Sequence, residues 1–161
     1  MPNEIYVVYN RKKKAIGFHE DTHLISNQIN AHNSIAIKEG LAMFFEKKWC
    51  GIYNFEWMIY WLESDQYVSI QRFMKDDFFY DYPSYLTYQT VGAFTQYLIT
   101  TYGIERYLKF YALSEPMINK RCKEIYDRSL KVLETEFLEY VRLFKLDYAM
   151  RMRILEVLGE R

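Results

Sequence analysis

Two of the chain's three histidines stand four residues apart with a glutamate beside the first, in His19-Glu20-Asp21-Thr22-His23. On a helix, residues four apart lie one turn above each other, so both imidazoles project from one side. Two neutral imidazoles so placed can hold a zinc ion at about 2.0–2.1 Å. Glu20 then sits where a carboxylate can take a proton from an attacking water and return it to a leaving amine, the general-base role of peptide hydrolysis. The bland alternative is two histidines and a glutamate on the solvated face of an amphipathic helix.

Catalytic zinc ordinarily has three protein ligands and one open position, so a third donor is expected on a separate element crossing the first. Glu39, in Ile37-Lys38-Glu39-Gly40-Leu41-Ala42, fits: it opens a helical segment, and small Gly40 and Ala42 permit close approach of two helices beneath the metal. Its competing reading is a first-turn carboxylate stabilised by the helix dipole. His32 lies in the polar connection Asn30-Ala31-His32-Asn33 and reads as a loop residue. Two histidines and a carboxylate also suit non-haem iron, but both histidines on one helix in this pattern favour zinc.

The elements that must carry these residues are mostly helical. Ala15 to Gln28 has Phe18, Thr22 and Ile25 near helical spacing, and Ile35 to Lys48 has Ile37, Leu41, Phe44 and Phe45, with Cys50-Gly51 as its stop. Further helices are expected over Phe55 to Ser64, Ser69 to Lys75, Ser84 to Tyr102 (ended by Gly103), and Glu105 to Leu113, before Pro116 breaks the chain. Asp76 to Pro83 reads as a loop. From Ser129 to Phe144, Leu130, Leu133, Phe137, Tyr140 and Val141 share a face, with Ser129 and Asp127 competing as the cap. Only Glu4 to Tyr9, with Ile5, Tyr6, Val7 and Val8, reads as a strand, and Arg11-Lys12-Lys13-Lys14 follows as a solvated turn. With no repeat or Pro/Gly-rich linker, residues 1–161 form one domain, with 1–14 a strand and turn and 129–158 a C-terminal helical tail. The fold class expected is mainly α with a short N-terminal β element.

The pairing of HEDTH with KEGLAMFFE resembles the gluzincin metallopeptidases, and most of all the compact peptidase MA-like branch. Tyr88-Gln89-Thr90-Val91-Gly92-Ala93-Phe94, then Tyr97-Leu98 and Tyr102-Gly103, is similar to that family's downstream helix. Ile125-Tyr126-Asp127-Arg128-Ser129-Leu130 with Glu136-Phe137 is similar to its C-terminal element. The resemblance implies a zincin-like helical metalloprotease domain, with His19, His23 and Glu39 holding Zn²⁺ and Glu20 as base. A tyrosine would donate to the oxyanion: Tyr88 by position, Tyr85 one turn earlier as the alternative, and a core tyrosine as the plain reading in a chain with 16 of them. Two features depart from the family. Only some 18 residues precede His19, room for one strand rather than a substrate-binding sheet, and the acid expected four residues after Glu39 is replaced by Met43.

Composition narrows the partners. Lys+Arg and Asp+Glu are both 21, a net charge of zero, which argues against nucleic acid or an anionic membrane surface. No apolar run approaches a membrane span, and the N-terminus lacks a secretion signal, so a cytoplasmic setting with Cys50 and Cys122 as free packing thiols is expected. The functional expectation is a zinc metallopeptidase acting on a peptide or protein substrate, its cleft completed within one chain or by a homo-oligomer. The alternative is a zinc-binding interaction or structural module without turnover.

Overall fold

A computed structural model describes residues 18–114 and 116–159. The expected strand at Glu4 to Tyr9 and the basic turn after it lie outside these residues. The described chain is mainly helical: α1 (Phe18–Asn30), α2 (Ile35–Glu46), a hairpin of β1 (Lys48–Trp49) and β2 (Ile52–Tyr53), α3 (Asn54–Glu63), α4 (Ile70–Phe73), α5 (Asp76–Phe79), α6 (Ser84–Tyr102), α7 (Ile104–Ala112), α8 (Ile118–Tyr126), α9 (Leu130–Arg142) and α10 (Tyr148–Leu158). The expected helix from Ser84 to Tyr102 is α6, with Gly103 at its end in a positive-φ conformation.

α6 is the axle of the fold. It is buried on nearly every side, from Leu86 and Gln89 to Phe94 and Leu98, which is why it carries no clean apolar stripe. α2 and α3 pack against it, and the α2 contact is a close approach of backbones. A Cβ at Gly92 would stand 2.7 Å from Met43 Cβ and 2.8 Å from Asn54 Nδ2. Gly40 meets α6 in the same way, against Thr95 and the Val91 carbonyl. Gly40 therefore brings α2 close to α6, whereas α1 meets α2 at the neighbouring Glu39. Asn54 ties the junction by donating to the Met43 carbonyl at 2.8 Å.

Three local expectations are corrected. Cys50-Gly51 does not stop a helix. α2 ends at Glu46, and Cys50 and Gly51 (φ 52° and 77°) form the two-residue turn of the β1–β2 hairpin, where both central residues need positive φ. Cys50 is accordingly an exposed turn residue, while Cys122 is a buried packing residue. Asp76 to Pro83 is not all loop: α5 forms because Phe79 is driven into the core, and Asp76 accepts a hydrogen bond from Ile35 N at 2.8 Å, capping α2. On α1 the expected face of Phe18, Thr22 and Ile25 is buried only at Thr22. Phe18 and Ile25 are 61% and 64% exposed, and the buried residues are Thr22, Ser26 and Asn30. Ser129 does cap α9, accepting from Val132 N at 3.2 Å, and Asp127 instead ends α8 in the left-handed region.

A polar knot fixes the far end of α1. Arg121, 2% exposed, donates to the carbonyls of Phe110 and Tyr111 at the end of α7 and to Asn33 Oδ1. Asn30 and Asn33 donate to the same carbonyl end, at Tyr111 and Leu113. The guanidinium's charge is balanced by helix-end carbonyls, which carry partial negative charge.

The α2–α6 approach leaves no room for a methyl group. Gly92→Ala is expected to cost about 1–3 kcal/mol of stability, read as a lower urea midpoint at unchanged m-value.

Candidate metal site

Each donor at the site reaches it from a helix held elsewhere. α1 is anchored at its C-terminal end by the Asn30–Arg121 knot, and its face of Thr22, Ser26 and Asn30 is turned inward. His19 and His23 stand close to that face, so both imidazoles are directed towards α2. From α2, Glu39 meets them. It is the fifth residue of that helix, beyond the first turn, so the helix dipole does not account for its placement.

The three donor atoms form a near-equilateral triangle. His19 Nε2 lies 3.1 Å from Glu39 Oε2, His23 Nε2 lies 3.3 Å from the same oxygen, and the two nitrogens are 3.2 Å apart. Tetrahedral zinc with bonds of about 2.0–2.1 Å separates its ligand atoms by about 3.3–3.4 Å. The donor set thus fits a zinc ion with shifts of a few tenths of an ångström. This is the one such group of ligating side chains among the described residues. His32 is not part of it; it is an exposed loop residue whose N–H donates to Asn30 Oδ1.

Around the triangle, His19 Nδ1 pairs with Glu46 Oε2 at 2.9 Å. Glu46 was not singled out from the sequence, although it lies seven residues after Glu39 and hence on the same helical stripe. Tyr88 is brought to the site, its ring stacked on His19 at a centroid distance of 6.2 Å and against Phe79 at 5.6 Å. Tyr85 is directed elsewhere, against Trp49 and Trp61. Tyr80, a second residue that no sequence signal marked, lies near enough to Tyr88 to act on its hydroxyl and is largely exposed. Glu20 is exposed, near enough for its charge to act on Tyr88.

The electrostatics follow from this crowding. Burial disfavours charge on His19, but hydrogen bonds and attraction to Glu39 and Glu46 outweigh it and raise its pKa to about 9. Burial likewise opposes charge on Glu39, but both histidines outweigh it and hold its carboxyl down to about 2. Burial and then the Glu39 charge push Tyr88 up to about 12, so its hydroxyl stays protonated and able to donate at neutral pH.

Comparison of the chain with protein-family models, curated proteins and solved structures returns no match. Among the described residues, no helix is long and apolar enough to cross a membrane.

The metal-free protein should show the pH signature of the His19–Glu39 pair. His19 stabilises fully below its ordinary 6.5 and loses that contribution as pH rises through about 9. Glu39 stabilises above its ordinary 4.5 and loses that contribution as pH falls through about 2. Unfolding free energy in chelator should therefore fall between pH 6.5 and 9, by about 1–2 kcal/mol after allowance for solvent screening. His19→Gln should flatten that slope. Zinc affinity should move the opposite way, strengthening as pH rises, because a ligating imidazole must first lose its proton.

Proposed function

We propose that the chain is a zincin-like helical domain that holds one zinc ion through His19, His23 and Glu39, and that it hydrolyses peptide bonds there. The observation carrying this reading is the 3.1–3.3 Å triangle of donor atoms contributed by two separate helices. Both helices match the gluzincin-like segments of the sequence. A zinc ion held at that triangle would acidify a water and polarise a peptide carbonyl.

The chain's own residues supply the remainder. Glu20, adjacent to His19 and free of a packing role, accepts the water's proton and delivers it to the departing amine. Tyr88, kept protonated by burial and by the nearby carboxylates, donates to the oxyanion as the carbonyl carbon becomes tetrahedral. The partner implied is a peptide or an unfolded segment of a protein.

One observation favours a second reading, a zinc-binding module without turnover. The sheet among the described residues is a single hairpin of two-residue strands. It gives little edge on which an extended substrate backbone could pair.

Turnover separates the two readings. Zinc-loaded protein assayed against a fluorogenic peptide library should hydrolyse some members, and Glu20→Gln should lower the rate by about 10²–10⁴-fold while keeping its zinc. Tyr88→Phe should lower kcat by about 10²–10³-fold with little change in KM. A wild-type protein that carries zinc but cleaves nothing contradicts the peptidase reading and leaves the binding module.

A further inference from the structure

We infer that Glu46 is the positioning residue of the metal site, fixing His19 so that Nε2 rather than Nδ1 faces the metal; this rests on the zinc reading above. The contact is direct, with His19 Nδ1 donating to Glu46 Oε2 at 2.9 Å while His19 Nε2 faces Glu39 and His23. A ring whose Nδ1–H is held by a carboxylate has one nitrogen left for a metal, and the carboxylate increases its basicity.

The location of Glu46 argues that this contact is what it is for. It is the last residue of α2, where the helix dipole disfavours a negative side chain. Its side chain is 40% exposed, so it is not there to fill the core. Among the described residues its hydrogen bond and its ion pair are both with His19. Glu39 and Glu46 are two turns apart on one stripe, so a single rigid helix supplies both a ligand and the group that orients another ligand.

Met43 explains why the acid lies at this position and not one turn after Glu39. Met43 is 2% exposed, and its Cβ is the atom that a side chain at Gly92 would strike. That position belongs to the α2–α6 contact, and a carboxylate there would be buried in the core without a cation.

Zinc affinity of the 161-residue chain, measured by chelator competition at neutral pH, tests the assignment. Wild type is compared with Glu46→Ala, Glu46→Gln and Glu124→Ala, the last an exposed acid on α8 that controls for lost charge. Glu46→Ala is expected to weaken zinc binding by about 10–100-fold, Glu46→Gln by less, and Glu124→Ala by under twofold. Nitrogen-15 spectra of the His19 ring in the zinc-loaded protein should show a protonated Nδ1 and a metal-bound Nε2 in wild type, and a mixture of the two attachments in Glu46→Ala. A Glu46→Ala affinity within twofold of wild type overturns the role, as does a variant that melts earlier yet binds zinc equally well. Failure of wild type itself to bind zinc overturns the site reading and this role with it.

Discussion

Two imidazole nitrogens and a carboxylate oxygen within 3.3 Å of one another cannot all present lone pairs to the same point. Something positive has to lie between them, either a proton or a metal cation. That requirement is the constraint around which the fold is arranged. Without a metal it is met by protonating His19, at the cost of a pKa raised to about 9. A zinc ion at the same point would take the three atoms as ligands with shifts of a few tenths of an ångström. Side chains already ordered around a removable proton would spare a cation part of the ordering cost of binding there.

Holding that triangle demands that α1 and α2 be fixed independently. α2 is clamped to α6 by the glycine contacts at Gly40 and Gly92, and its start is capped by Asp76 from α5. α1 is held through the Asn30, Asn33 and Arg121 knot on the end of α7. The buried face of α1 is small and polar, which lets the two histidines reach α2 and turns Phe18 and Ile25 outward. Among the described residues the three donors are thus brought together by two helices alone, with Tyr88 stacked on His19 beside them.

Much of this was legible in the sequence where the signal was local. The spacing of His19 and His23, and the capped α6 ending at Gly103, depend on neighbours along the chain, and the structure follows them closely. Glu39 was legible through a chemical requirement, the need for a third donor. What was not legible depended on tertiary choice. The helical spacing of Phe18, Thr22 and Ile25 implied a shared face, yet the tertiary contacts of Asn30 and the meeting with Glu39 keep only Thr22 of the three inside. Cys50-Gly51 carried a positive-φ signal that serves a helix stop and a hairpin turn equally, and pairing of Lys48 with Tyr53 decided between them. Glu46 was hidden because its usefulness lies in a ring on another helix.

The central claim is that His19, His23 and Glu39 bind one zinc ion. Elemental analysis of protein purified without chelator, on wild type and His23→Ala in parallel, tests it most directly. The account predicts close to one zinc per wild-type chain and little in the variant. No metal in wild type after zinc is offered at neutral pH, or equal metal in both proteins, would contradict it.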